Sequence, residues 1–326
     1  MITVAALSPS LDITYLVDRL ELGGIHRPTA VYRVAGGKSF NLARAATALG
    51  SRVDTIAALG GSTGGFLAAE LRAVGIDVTP IDTPIETRTC ISIAADDRGD
   101  LTEIYPHAPE IPEQTWLEFR AQTERILAAH GRPAGQRQPP TPGEVSGWLA
   151  INGGAPRGLP DDAFAELIAL AHDAGLRVAV DTHGPALAAA LPARPDLVKV
   201  NRYEAAELLG QPAQDADLIA MIKEISGLTA GSVIITDGRA GAVSSTLHGV
   251  VRATLPGDID GRYPVGSGDS FLGGWLAATD DGADATDALR LASGCGAANA
   301  LQPGPGILDP EVARDIAART VLSELA

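Results

Sequence analysis

The chain has 326 residues, with 40 acidic and 25 basic side chains and a formal net charge of −15 at pH 7. This charge argues against nucleic acid and anionic membranes as partners, because both require a basic surface. The two cysteines, Cys90 and Cys295, give neither a disulfide framework nor the spacing of a metal site. Residues 1–7 lack a basic start and no apolar run reaches membrane-spanning length, so we expect a cytoplasmic protein.

The first part of the chain predicts a buried strand followed by two hairpin-like segments. Residues 2–7 are the buried strand. Residues 12–34 and 87–106 mix apolar and polar positions around turn residues, as exposed strand pairs do. A short helix is predicted at 42–50, where Gly50 ends the apolar pattern. Two hairpins from non-adjacent sequence suggest one small sheet beside an α/β core.

From residue 53 onward, predicted strands and helices alternate. Such alternation predicts a mostly parallel sheet covered by helices on both faces. The strands are 53–59, 176–181, 197–201 and 233–236, followed by an antiparallel hairpin of 241–246 and 249–254. The helices are 66–74, 116–129, 161–174, 269–279, 284–300 and 310–323. Residues 130–147, rich in proline and glycine, predict a surface loop.

A glycine-rich turn with a carboxylate lies at the start of the helix predicted at 269–279. It consists of Gly266, Ser267, Gly268 and Asp269. Glycine lets the backbone approach a ligand closely, and a helix start directs free N–H groups and the positive dipole end towards that ligand. An anion site beside a base is what phosphoryl transfer to a hydroxyl requires. The alternative interpretation is ordinary helix capping by Asp269 or Ser270.

A second glycine-rich turn runs from Gly36 to Asn41 and includes the tripeptide Gly-Lys-Ser. This tripeptide also ends the P-loop of nucleotide-binding proteins. The P-loop requires a glycine five residues before Gly37, and this position holds Tyr32. The sequence therefore excludes a P-loop here.

Five segments, in order along the chain, resemble motifs of the PfkB (ribokinase-like) family of carbohydrate kinases. The similarity is greatest to the branch of 1-phosphofructokinase and tagatose-6-phosphate kinase, and it covers nearly the whole chain. The segments are 8–12, 36–41, 87–88 together with 101–104, 199–204, and 266–269.

The resemblance implies a ribokinase-like α/β fold, a three-layer α/β/α sandwich with a mostly parallel central sheet and a small β-sheet lid. It implies a single kinase domain over residues 1–326, with the lid formed by about 12–34 and 87–106. Lid strands of this fold often pair between subunits, so we also expect a homodimer.

The resemblance also implies roles at the phosphoryl-transfer and sugar sites. Asp269 would take the hydroxyl proton, while the backbone of Gly266, Ser267 and Gly268 would stabilise charge on the moving phosphoryl group. Lys38 and Arg88 would donate to an anionic group of the substrate. The implied substrate-binding residues are Asp12, Gly36, Gly37, Lys38, Asn41 and Arg88.

ATP and Mg²⁺ are the implied cofactors. Asn201 and Glu204 would arrange the nucleotide phosphates and Mg²⁺, with Glu204 contacting the metal through water. Glu204 also opens a predicted helix, where an acid is favoured by the dipole alone. The remaining implied nucleotide contacts are Thr236, Gly238, Gly241 and, in the adenine pocket, Asn299.

The expected function is ATP-dependent phosphorylation of a ketohexose phosphate of the fructose-1-phosphate or tagatose-6-phosphate type. Two alternatives are a kinase of an unphosphorylated sugar or nucleoside, and a catalytically weak sugar-binding regulator. The departures from the branch motifs concern mainly the substrate and nucleotide contacts rather than the base, so the sugar itself stays open. They are Ser8, Ser39, the segment 152–156, Asp237 and Pro264.

Overall fold

The computed structural model describes residues 1–97, 101–131, 147–214 and 216–325. Within these ranges a large sheet of ten strands is covered by helices, and a smaller sheet of four strands lies apart from it. No helix of the described ranges is long and apolar enough to cross a lipid bilayer. Residues 98–100 of one predicted turn and 132–146 of the predicted surface loop lie outside the described residues.

The large sheet is mostly parallel, as the alternating pattern predicts. In spatial order its described strands are β14 (Val321–Leu325), β13 (Gly249–Thr254), β12 (Ala242–Thr246), β11 (Ser232–Thr236), β10 (Leu197–Asn201), β9 (Arg177–Asp181), β8 (Trp148–Asn152), β1 (Ile2–Ala6), β4 (Val53–Leu59) and β5 (Asp77–Asp82). The strands from β5 to β11 pair in parallel, and β12, β13 and β14 form an antiparallel edge. The predicted hairpin at 241–246 and 249–254 is confirmed.

Helices cover both faces because every side chain of the central strands needs an apolar neighbour. Along β1, Ala5 belongs to the core on one face of the sheet, whereas Val4 and Ala6 belong to the core on the other. The first face is covered by α3 (Glu113–His130), α4 (Ala163–Asp173), α5 (Gly184–Ala190), α6 (Arg202–Leu208) and α7 (Leu218–Ser226). The second is covered by α1 (Lys38–Ala48), α2 (Gly61–Ala73), α8 (Ser267–Asp280) and α9 (Ala285–Ala300), and α10 (Pro310–Arg319) packs on α9.

The small sheet is built from the two predicted hairpin segments. In spatial order it contains β3 (Ala30–Gly36), β2 (Ser10–Val17), β6 (Thr89–Ala95) and β7 (Leu101–Ile104). Strands β2 and β6 join the two segments by parallel pairing, which the sequence pattern does not reveal. Along β2, the polar residues Ser10, Asp12 and Thr14 are buried on one face, while Ile13 and Tyr15 are half-buried on the other.

The C-terminal part of the chain differs from the prediction. A helix was expected over 310–323, but α10 ends at Arg319 and Thr320 is extended. Residues Val321–Leu325 instead form β14, which pairs with β13 at the edge of the large sheet. The strand forms because a free sheet edge supplies hydrogen-bond partners that a local helical pattern does not anticipate. Strands β5 and β8 and helices α5 and α7 are absent from the predicted elements.

Close packing of α8 on α1 requires glycine at the contact. A Cβ atom on Gly273 would lie 2.8 Å from the carbonyl oxygen of Leu42 and 3.0 Å from the Cβ atom of Ala45. We therefore expect Gly273→Ala to lower the free energy of unfolding by about 1–3 kcal/mol, because the added methyl group overpacks the helix contact. Urea unfolding followed by circular dichroism measures this change.

Gly65→Ala is the matched control, since Gly65 is in the interior of α2 and an added Cβ meets no atom within 4 Å. This substitution should leave stability unchanged or raise it by up to about 1 kcal/mol, because alanine is the better helix former. A Gly273→Ala protein as stable as the wild type would contradict the packing argument.

Candidate active site

Polar residues gather at the carboxyl ends of neighbouring parallel strands. β8 ends at Asn152, β9 at Asp181, β10 at Asn201 and β11 at Thr236. The register places Asn152 beside Asp181, and Asn201 beside Thr236. Open α/β sheets bind ligands at this edge, because the strand ends and the loops that follow them form a crevice there.

The turn before α8 adds backbone donors and a carboxylate to this edge. Gly266 has φ of 80°, in the left-handed region that glycine adopts without strain. The N–H of Ser267 donates to the carbonyl oxygen of Pro264 at 3.1 Å. Within the described residues, the N–H groups of Gly268 and Asp269 have no hydrogen-bond partner. The free donors at the helix start are therefore those of Gly268 and Asp269, and the N–H of Ser267 is already used.

The carboxylate of Asp269 is 5% exposed and is held by two side-chain amides. Asn41 donates from Nδ2 to Oδ2 at 2.9 Å, and Asn152 donates from Nδ2 to Oδ1 at 3.3 Å. Burial raises the pKa of the Asp269 carboxyl. The positive charge of Lys38 and the hydrogen bond from Asn41 act against this rise.

Asp181 lies fully buried between two lysine ammonium groups. It accepts a hydrogen bond from Lys38 Nζ at 3.1 Å and another from Lys199 Nζ. Burial alone would raise the pKa of Asp181, but the charges of Lys199 and Lys38 outweigh it, and the pKa is lowered. Asp181 is in turn the main reason that the pKa of Lys38 is raised. Asp181 and Lys38 are therefore both charged at neutral pH.

A cleft of about 640 Å³ opens beside Asp269 and runs along the sheet edge towards β11. Lys38 and Lys199 lie at its inner end, and Leu255 and Ile259 contribute apolar surface. It contains most of the residues expected to bind nucleotide. Those in its wall are Asn201, Glu204, Thr236, Gly238 and Gly241.

Asn201 and Glu204 also close the start of α6. Asn201 Oδ1 accepts the N–H groups of Tyr203 and Glu204, and Glu204 Oε2 accepts the N–H of Asn201 at 2.8 Å. This is a capping box, so the Oε2 atom of Glu204 serves the start of the helix, as the alternative interpretation of Glu204 expects. The other oxygen, Oε1, lies 3.7 Å from Lys38 Nζ at the cleft.

The small sheet brings Asp12 next to the turn before α1, and Arg88 lies near Asp12. Asp12 accepts hydrogen bonds from the Ser10 hydroxyl at 2.6 Å and from the N–H of Gly37 at 3.3 Å. Gly36 is required beside it, because a Cβ there would lie 2.1 Å from Asp12 Cγ. Burial raises the pKa of Asp12. Arg88 donates to the carbonyl oxygen of Pro106 at 2.8 Å and to Ser8 Oγ at 3.1 Å.

Asn299 does not line the cleft. Its side chain is fully buried, where Oδ1 accepts the Ser270 hydroxyl at 3.0 Å and the N–H of Gly306 at 2.7 Å. Its Nδ2 donates to the carbonyl oxygen of Val265 at 2.8 Å. Asn299 therefore holds together the segments on both sides of the α8 start, and the expected contact with an adenine ring has no support from its position.

Four residues of the site were not assigned a role from the sequence: Asn152, Asp181, Lys199 and Arg44. Arg44 donates to Asn41 Oδ1 at 2.9 Å and to the carbonyl oxygens of Ala35 and Pro305, and burial lowers its pKa to about 10. The sequence contained features that could have identified Asp181 and Lys199 as site residues, since Asp181 ends a predicted strand and Lys199 precedes Asn201 in a recognised motif. Arg44 had no such feature, because it looks like an ordinary residue on a helix surface.

Comparisons with known proteins agree with this geometry. The pfkB family carbohydrate kinase profile matches residues 5–311. Phosphofructokinase-2 from Escherichia coli, in complex with substrates and products, superimposes with a TM-score of 0.86 at 25% identity, covering 98% of each chain.

A possible 1-phosphofructokinase from Thermotoga maritima has the same fold, with a TM-score of 0.84 at 19% identity over 100% of each chain. The family profile spans most of the sequence, and the ribokinase-like fold with its separate small sheet agrees with it. The chain therefore belongs to the pfkB family of carbohydrate kinases and is a phosphotransferase that acts on an alcohol group.

Proposed function

We propose that this sugar kinase transfers the γ-phosphoryl group of ATP to a hydroxyl of a ketohexose phosphate, with Asp269 as the general base. One observation carries the proposal: the buried Asp269 carboxylate lines the cleft and is held by Asn41 of α1, whose preceding turn contacts Asp12 of the small sheet. Lys38 also lines the cleft. A base between a phosphate donor and a sugar hydroxyl has the position that phosphoryl transfer requires.

The surrounding residues have complementary tasks in this reaction. Asp269 accepts the proton of the attacking hydroxyl, and Asn41 and Asn152 hold its two oxygens in place. The N–H groups at the start of α8 and the ammonium of Lys38 stabilise the negative charge of the phosphoryl group in transit. The small sheet excludes water from the sugar side, where Asp12 accepts a hydrogen bond from the substrate.

The cleft fits a nucleotide. The glycines at 238, 241, 257 and 261 have no side chain that would project into the cleft. Leu255, Ile259 and Phe271 offer apolar contact to a base ring. Among the described residues, no cluster of three or more acidic, histidine or cysteine side chains could hold a metal by itself. Glu204 Oε1 nevertheless fits Mg²⁺ that is bound mainly by phosphates and water. When bound, Mg²⁺ neutralises phosphate charge.

Arg88 supports a substrate that already carries a phosphate. Its hydrogen-bond partners Pro106 and Ser8 are neutral, so its positive charge is not paired with a carboxylate within the described residues. Lys38, in contrast, is paired with Asp181 and Glu204. Phosphofructokinase-2 from Escherichia coli, which has been crystallised with fructose-6-phosphate, supports the same substrate class.

A second copy of the chain is the proposed partner of the small sheet. Its outer face is mostly apolar, although Arg33 and Thr102 also lie on it, and it faces away from the polar residues around Asp12. In register on this face lie Ile13, Tyr15, Val31, Ile91, Ile93 and Ile104, of which Val31 is 47% and Ile104 58% exposed. Pairing of two such faces in a homodimer would remove this apolar surface from water.

The Asp269→Asn enzyme should have a kcat about 10²–10⁴ lower than the wild type, because the hydroxyl loses its proton acceptor. Its affinity for ATP should change little, as measured by calorimetry. Asp281→Asn, at the other end of α8, is the matched control and should have wild-type kcat. An Asp269→Asn enzyme with wild-type kcat would exclude Asp269 as the base.

The Arg88→Ala enzyme should have a KM for the phosphorylated sugar at least about tenfold higher, with the KM for ATP nearly unchanged, because a charge-assisted contact to phosphate is lost. Steady-state kinetics over a panel of sugars and sugar phosphates measures both values. Arg72→Ala, on the exposed side of α2, is the control. If the wild type phosphorylated only neutral sugars, the alternative of a kinase for unphosphorylated sugars or nucleosides would be favoured.

Ile93→Asp should convert the dimer into a monomer, because it places a charge in the proposed apolar interface. Size-exclusion chromatography with light scattering gives the mass of the wild type and the variant. Leu247→Asp is the control, since Leu247 is 99% exposed on the turn between β12 and β13. A monomeric wild type, or dimeric Ile93→Asp, would contradict the proposed interface.

A further inference from the structure

Asn152 contacts the proposed base from the side opposite Asn41. It is the last residue of β8, and it is 5% exposed. Its Nδ2 lies 3.3 Å from Asp269 Oδ1 and 3.0 Å from the carbonyl oxygen of Lys38. The carbonyl oxygen of Lys38 can only accept, and so can the ionised carboxylate of Asp269, so the NH₂ group and not the oxygen of the amide faces them.

The backbone of Asn152 is fixed against the start of α1. Its carbonyl oxygen accepts the Ser39 hydroxyl at 2.6 Å, and the same hydroxyl lies 3.2 Å from the carbonyl oxygen of Ala5. The amide of Asn152 therefore reaches Asp269 from a rigid strand end. With Asn41 on Oδ2, each oxygen of the carboxylate is held by one amide donor.

The other atom of the amide shows that this arrangement does not serve stability alone. Asn152 Oδ1 is buried and has no hydrogen-bond partner among the described residues. A buried acceptor without a partner destabilises the folded state, and a serine or alanine at this position would avoid that loss. What the larger amide provides is a donor that reaches both the carbonyl oxygen of Lys38 and Asp269.

We propose that Asn152 is a positioning residue for phosphoryl transfer: it fixes the second oxygen of Asp269 and favours the charged form of the carboxylate. The inference rests on the proposed function, in which Asp269 is the base. A donor to a carboxylate stabilises the anion relative to the neutral acid, so its removal makes the group easier to protonate.

The charges around Asp269 make this donor important. From α1 the carboxylate faces Lys38 and Arg44, from β9 Asp181, and from β10 Lys199. The negative charge of Asp181 and the burial of the site both favour the protonated, inactive form of Asp269. The charge of Lys38 is the largest opposing effect, and the hydrogen bond from Asn41 adds to it. A second amide donor on the other oxygen, from Asn152, acts in the same direction.

The test is the pH dependence of kcat in the Asn152→Ser and Asn152→Ala enzymes. In both, the midpoint of the acidic limb should lie about half to one pH unit above that of the wild type, because the base protonates at higher pH. Ser39→Ala is the matched control. It removes one hydrogen bond to the same strand end but keeps the Nδ2 donor to Asp269, so its midpoint should lie closer to that of the wild type than the midpoints of the two Asn152 variants.

A direct titration separates this inference from the proposed function. Proteins labelled with ¹³C at the aspartate carboxyl carbons give the protonation midpoint of Asp269 by NMR, with Asp269→Asn identifying the signal. An upward shift in both the NMR and the kinetic midpoints confirms the inference. An NMR shift without a kinetic shift means that Asp269 is not the base, which overturns the proposal. If neither midpoint moves, Asn152 is not a positioning residue for Asp269. The role of Asp269 as the base is then tested separately by the kcat of the Asp269→Asn enzyme.

Discussion

The site depends on one buried ionic contact, that of Asp181 with Lys38 and Lys199. A carboxylate with no exposed surface is tolerated only when opposite charges compensate for its lost hydration. Removing one member of such a group typically destabilises a protein by about 3–5 kcal/mol, because the remaining charge is buried alone. This requirement fixes α1, β9 and β10 relative to one another and places two ammonium groups beside the start of α8.

The small sheet presents a different kind of surface on each of its two faces. Because side chains alternate along a strand, β2 can present Ser10, Asp12 and Thr14 to the site and Ile13 and Tyr15 to the outside. The parallel pairing of β2 with β6 extends both faces across segments that are far apart in sequence. One layer of strands thus serves as a polar wall of the site and as an apolar outer surface.

Local patterns predicted much of the fold and part of the site. Alternation of strands and helices gave the parallel sheet, and the glycine-rich turn before Asp269 gave the start of α8. The residues that were missed or misplaced are defined by contacts between distant segments. Arg44 matters because Ala35, Asn41 and Pro305 meet it, and Asn299 is buried because the segments before α8 and after α9 close around it. Such contacts leave no periodic signal in the sequence.

The packing of α8 against α1 has a consequence for the newly made chain. Asn41 and Asp269, which are hydrogen-bonded in the finished protein, are separated by 228 positions. During translation α1 and the small sheet are synthesised long before α8 has left the ribosome. Contacts this distant in sequence form late and slow the final folding step. The contact between Asn41 and Asp269 therefore forms only after nearly the entire polypeptide has been synthesised.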